Sequence, residues 1–191
     1  MIITIGGTPG AGKDSVGTLL SKKLDYKKYS IGDMRRQLAE EHGITLEELN
    51  SLGESESWTD NDVDDFQEEL GATMDNIIVI SRLGFHFIPG GFKIFLKCDL
   101  GIGAERIYND RSGKYRDVEK YASQEEVLEH LEKRQLSDAQ RYKKYYGLKI
   151  DELEHYDFII DTSRLSVDDA TEIILCAARK MESQGIEKEK Q

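Results

Sequence analysis

Residues 7–15 read Gly-Thr-Pro-Gly-Ala-Gly-Lys-Asp-Ser. Glycines at 7, 10 and 12 let a backbone turn aim its amides inward, and Pro9 stiffens the turn between them. With Thr8, Ala11 and Ser15 completing the loop, those amides and the start of a following helix form a cradle for anions. Lys13 then supplies a mobile positive charge for the β and γ phosphates of a nucleoside triphosphate. The phosphate-loop pattern asks for a hydroxyl after the lysine to hold magnesium, and this chain has Asp14 there. A carboxylate can hold that hard cation directly or through water. It also adds negative charge beside the phosphates, so it is tolerable only with a metal between them.

Other side chains have phosphate chemistry open to them. Arg134, Asp138 and Arg141 are spaced i, i+4 and i+7 and share one face of a helix. They read either as an ion-pair ladder of about 0.3–0.5 kcal/mol per pair or as clamps on a phosphoryl group in transit. Arg35 and Arg36 read as a solvated helix face or, for one of them, as a planar fork gripping phosphate. Asp60, Asp62, Asp64, Asp65 and Gln67 read mostly as an acidic solvated face. Tyr142, Tyr145 and Tyr146 read as helix packing, and the four histidines lack metal-ligand spacing.

The loop functions only if a buried strand delivers it and a helix receives it. Residues 1–7, Met-Ile-Ile-Thr-Ile-Gly-Gly, form a continuous apolar strand, and Val16, Leu19, Leu20 and Leu24 repeat at helical spacing. Further strands are expected at 26–30, 76–81, 92–98 and 157–161, separated by helical stretches. That alternation predicts an α/β fold with a parallel sheet covered by helices on both faces. Two insertions, at 33–70 and 106–146, break the rhythm where an α/β sheet builds its ligand crevice. Capping-box spacing marks helix starts at Thr45 to Glu48, Thr59 to Asp62 and Ser123 to Glu126, and Gly53 marks a stop.

With 191 residues, the chain suits one domain over 1–183 and a disordered polar tail over 184–191. A net charge of -11 argues against nucleic-acid and anionic-membrane binding, but leaves room for basic residues clustered at a nucleotide site. No apolar run is long enough to span a bilayer and no signal peptide is visible, so a cytoplasmic location is expected. Cys98 and Cys176 are expected to be buried free thiols.

Over nearly its whole length the chain resembles the nucleoside monophosphate kinases, most closely the short archaeal-type cytidylate kinases. The resemblance rests on residues 6–20, 29–43, 77–84, 104–111, 133–147 and 156–166, in that order and spacing. It implies a three-layer P-loop NTPase fold with a five-stranded parallel sheet in the order 2-3-1-4-5, an acceptor-binding insertion and a lid. It also implies transfer of the γ-phosphoryl of ATP to a nucleoside monophosphate, CMP or dCMP foremost, in a monomer that uses Mg2+. By position, Gly32, Asp33 and Arg36 would shape the acceptor phosphate site, with Arg82 as its second grip. Arg106 would stack on the donor adenine, and Arg111 would contact donor phosphate. Arg134 and Arg141 would close over the transferring group beside Lys13.

Two departures stand out. Ile31 replaces the usual threonine of the acceptor motif, and Ile80 stands where these kinases carry the strand-end acid that orients magnesium-bound water. Loss of that acid and gain of Asp14 read as halves of one exchange, with Asp33 assisting Asp14 across the crevice. The competing readings are an adenylate kinase or other small phosphate-acceptor kinase, and a catalytically impaired nucleotide-binding module.

Overall fold

The computed structural model describes residues 1–56, 58–110, 121–149 and 152–188. Its centre is strand β1 (Ile2–Gly7), an apolar run whose Ile3 and Ile5 are fully buried. Four more strands, β2 (Lys27–Ser30), β3 (Ile77–Ile80), β4 (Phe92–Lys97) and β5 (Phe158–Asp161), pair in parallel in the order β2-β3-β1-β4-β5. Residues Ile2 to Ile5 pair with Ile77 to Ile80 on one side, while Ile3 to Gly7 pair with Phe92 to Leu96 on the other. Strand order therefore reverses around the C-terminal end of β1, which is where an open α/β sheet presents a crevice. The expected five-stranded fold and its order are observed.

Helices α1 (Lys13–Leu24) and α8 (Val167–Lys188) cover one face, closing a core around Ile3, Ile5, Leu20, Ile94, Leu96 and Ile174. The other face is closed by α2 (Ile31–Glu41) and α4 (Trp58–Thr73) through Ile31, Val63 and Leu70 packed on Ile77 and Val79. Between these two lies α3 (Leu46–Gly53), with the Thr45–Glu48 capping box in place. Thr59 departs from its expected capping role: α4 has already begun at Trp58, and the Thr59 hydroxyl donates to the Glu56 carbonyl. A short helix, α5 (Gly84–Phe87), follows β3.

The second insertion, expected at 106–146, holds α7 (Gln124–Tyr146), which packs on α6 (Leu100–Tyr108), a helix that begins before it, through a small core of Ala104, Ile107, Val127 and Leu131. Ser123 caps α7 as its spacing predicts. Residues 184–188, read from sequence as tail, continue α8 as helix. Cys98 is buried as expected, whereas Cys176 is exposed because it falls on the outer side of α8.

Candidate active site

The loop after β1 is held by residues remote in sequence. Gly7 sits at φ 142° with its Cα against β4, where a Cβ would come within 2.2 Å of the Leu96 carbonyl oxygen. Gly10 sits at φ 74° in contact with Gly103 of α6, and a Cβ there would lie 2.3 Å from the Gly103 Cα. Thr8 joins the loop to β4 by donating to the Cys98 carbonyl at 3.2 Å and accepting from the Cys98 amide at 2.8 Å. On the far side the Thr162 hydroxyl donates to the Ala11 carbonyl at 3.1 Å. The loop is thus braced by β4, α6 and the end of β5.

Lys13 opens α1 and folds back on the loop, donating to the Gly7 and Thr8 carbonyls at 2.9 and 2.7 Å. Burial, followed by the charge of Arg82, pushes its ammonium down to about 7. Arg134 adds to that repulsion, and Asp14 partly offsets it. Such a concentration of positive charge in one place is an anion site by electrostatics. Arg82 is itself pushed down to about 9 by burial and next by Arg134.

Asp14 and Ser15 line the same cleft. One Asp14 carboxylate oxygen, Oδ1, is shut off from solvent and accepts no hydrogen bond. A buried carboxylate oxygen without a donor is uncommon, and it fits a hard cation that prefers oxygen ligands. Among the described residues no three His, Cys, Asp or Glu side chains converge on one point. This also suits magnesium, which keeps several waters and leans on substrate phosphates instead of an all-protein cage.

Past β2, the Ser30 hydroxyl caps α2 by accepting from the Asp33 amide. A Cβ on Gly32 would sit in ordinary contact with the Arg36 guanidinium at 3.8 Å and the Ser30 hydroxyl at 3.9 Å. Arg36 is half-buried and pairs with the exposed Asp33 one turn away. Burial alone would raise the Asp33 carboxyl, but the hydrogen bond and charge of Arg36 hold it below the usual range. Arg35 differs entirely: it is 8% exposed and donates to Asp60 and, at 3.1 Å, to Asn50. The solvated-face reading therefore fails for Arg35. Its position could have been found from Ile31, Arg35 and Ala39, which repeat every four residues and form the buried side of α2.

Asp60 and Gln67 are also buried, contrary to the expected acidic solvated face, while Asp62 and Asp65 do lie outward. Asp60 stands between Arg35 and Arg141, and Asp138 stands between Arg141 and Arg82. The result is a chain of alternating charge running Arg35, Asp60, Arg141, Asp138, Arg82 across the cleft. Arg141 is 2% exposed within it, and its guanidinium also donates to the Tyr142 hydroxyl. Asp64, half-buried beside this chain, accepts from the Tyr146 hydroxyl. Burial lifts its carboxyl to about 6 against the opposing effect of that hydrogen bond. The Ser81 hydroxyl binds Gln67 and accepts from the Leu83 amide, fixing the turn that carries Arg82.

Arg106 reaches back from α6 to the Thr162 carbonyl at 2.7 Å and the Gly10 carbonyl at 3.5 Å, at the cleft margin. Arg111 lies outside the described residues. Apart from Gly7 and Thr8, the remaining predicted residues, Lys13 and Arg36 among them, line one cleft of about 1910 Å³. Single-ligand pockets run to about 1,000 Å³, so the space suits two ligands held together.

Comparison with known proteins agrees with this geometry. Residues 2–164 match the model of the cytidylate kinase-like family. A cytidylate kinase of Methanocella arvoryzae is 36% identical over 177 residues, covering 93% of this chain and 96% of that protein. One from Sulfolobus acidocaldarius is 35% identical over 178 residues, with 92% of each chain covered. Among solved structures, a shikimate kinase from Bacteroides thetaiotaomicron superposes with a TM-score of 0.65 at 14% identity over 94% of this chain and 98% of that one. A gluconokinase from Sinorhizobium meliloti gives 0.60 at 17% identity over 97% and 95% of the two chains. The fold is that of the P-loop kinases, and the chain belongs to the cytidylate kinase-like family.

Proposed function

We propose that this protein transfers the γ-phosphoryl of ATP to a nucleoside monophosphate, with CMP or dCMP as the preferred acceptor. The observation that carries the reading is the convergence of Lys13, Arg82 and Arg134 within electrostatic reach of one another in a single cleft. Asp138 balances Arg82 and Asp14 partly offsets Lys13, yet the three cations still act on one another, and phosphates exchanging a phosphoryl group are anions that draw on all three. The names of the relatives supply the acceptor class: the matched archaeal proteins are cytidylate kinases.

Catalysis is then positioning and charge neutralisation without a covalent enzyme intermediate. The amides from Gly7 to Ser15 and Lys13 hold the donor, and Arg106, its edges fixed by backbone carbonyls, offers a flat guanidinium face to the donor base. Arg36 and Arg82 hold the acceptor phosphate, with Gly32 allowing close approach. Arg134 neutralises charge on the group in transit, whereas Arg141, buried between Asp60 and Asp138, keeps the acceptor side charged and rigid. Asp14 would hold magnesium, with Asp33 reaching it through water. When bound, that metal supplies charge neutralisation at the donor phosphates.

The test is a coupled assay of ADP formation with ATP and a panel of CMP, dCMP, UMP, AMP and a non-nucleotide phosphate. The expected result is turnover that depends on acceptor and is highest with CMP or dCMP. Binding of ATP with no acceptor-dependent ADP formation would sink the enzymatic reading.

A further inference from the structure

Lys28, on β2, belongs to none of the motifs above. Its ammonium donates to the Thr18 hydroxyl at 3.0 Å and stands 3.8 Å from Asp14 Oδ1. The Thr18 hydroxyl in turn donates to the Asp14 carbonyl at 2.7 Å, so the three residues form a closed local unit on the first turns of α1. The Lys28 stem runs past Gly17, close to Ile80, which fills the place of the missing strand-end acid. From there its charge also acts on Asp33. The side chains of Lys28 and Asp14 are 24% and 33% exposed, so their attraction is less screened than that of a surface pair. A separation of 3.8 Å is too long for a hydrogen bond. Asp14 Oδ1 is thus balanced by charge alone and keeps its lone pairs available.

We propose that Lys28 is the resident counter-cation of Asp14: it holds the carboxylate in place in the nucleotide-free protein and competes with the divalent metal for it. The proposal rests on the reading of Asp14 as the metal-facing acid and gives Lys28 a positioning role, without contact to the reacting atoms. Two cations cannot share one carboxylate without mutual repulsion, so Lys28 weakens metal binding to the nucleotide-free protein. Donor phosphates tip the balance by adding negative charge, and the metal is taken up with the nucleotide in preference to standing alone. A threonine in place of Asp14 would need no such partner, which ties Lys28 to the exchange of acids at positions 14 and 80.

Binding of Mn2+ as probe, followed by electron paramagnetic resonance with and without ADP, tests this without reference to turnover. Lys28→Met should tighten Mn2+ binding to the nucleotide-free protein by about three- to tenfold, as expected for removal of one nearby, partly screened charge. Lys28→Arg, which keeps the charge, should bind Mn2+ as the parent does, and Lys28→Met should have no effect in an Asp14→Ala background. Unchanged or weaker Mn2+ binding in Lys28→Met, while Asp14→Ala still loses it, overturns the role of Lys28 alone. If Asp14→Ala binds Mn2+ as the parent does, the metal role of Asp14 falls and this proposal with it. Loss of metal-free ADP binding in Lys28→Met would make Lys28 a phosphate ligand and also overturn the proposal.

Discussion

Lys13 carries its charge at a cost, because it is buried beside Arg82, and that has a thermodynamic signature. Its ammonium titrates near 7 when free because of burial and the neighbouring arginines. Bound phosphates favour the charged form and raise that value. The complex therefore holds more protons than the free protein at any pH between the two values, and affinity for ADP falls as pH rises through 7 and above. Calorimetry in buffers of different ionisation enthalpy should show proton uptake on ADP binding at pH 8 and almost none at pH 6. Asp60 makes a second prediction at this scale, since it neutralises both Arg35 and Arg141. Asp60→Ala leaves the buried Arg35 without its carboxylate and Arg141 with Asp138 alone, and should lower stability by about 3–5 kcal/mol in denaturant titration. Glu47→Ala, on the exposed side of α3, should change it by less than about 0.5 kcal/mol.

Among the elements, α6 is the one whose role was least visible in sequence. Its apolar periodicity announces a helix, but nothing in that periodicity says that Gly103 must touch Gly10, since the two are 93 positions apart in the chain. A Cβ on Gly103 would lie 2.6 Å from the Pro9 carbonyl oxygen. Gly103→Val should therefore displace the loop and abolish ADP binding by calorimetry, while far-ultraviolet circular dichroism stays that of a folded α/β protein. Helix α7 presents the opposite case. The i, i+4, i+7 spacing of its charged residues is legible, yet Arg134, Asp138 and Arg141 meet three different surroundings. The ladder holds between Asp138 and Arg141 on their own helix, and Asp138 also pairs with Arg82 across the cleft. Sequence gives the face of a helix, but the partner opposite that face comes only from the packing of α3, α4 and α7. Glu54, just past α3, shows this packing by meeting Ser137 at 2.5 Å and Lys144 at 2.6 Å.

At the scale of the molecule, an acidic chain with net charge -11 lines one cleft with Lys13, Lys28, Lys133 and six arginines set among eleven aspartates and glutamates. The positive charge that draws a small phosphate is local, where Lys13, Arg82 and Arg134 act on one another, while the acidic remainder keeps polyanions away. Saturating ADP, at about 100 times its Kd, should raise folding stability by about 2.7 kcal/mol, read as a shift of the denaturant midpoint. The sheet order was legible because glycine-rich turns, apolar strands and helical stretches alternate in a pattern few topologies satisfy. The loop of residues 7–15 was legible for the same reason, being built on consecutive residues. The side of the cleft formed by α2 and α4 was not: Arg35, Asp60 and Gln67 look like ordinary polar helix positions until those helices are packed on β3.

The contact between Gly10 and Gly103 bears on how chains of this kind are recognised and altered. A signature drawn around residues 7–15 includes only one member of the pair. A chain could carry the full loop signature and still be unable to form this loop if a larger residue occupied the matching turn of its α6. Conversely, grafting residues 7–15 onto another scaffold would transplant the letters without the surface they lie on. The smallest transferable unit is the loop together with Leu100–Tyr108, two segments that any redesign of the nucleotide site has to change as one.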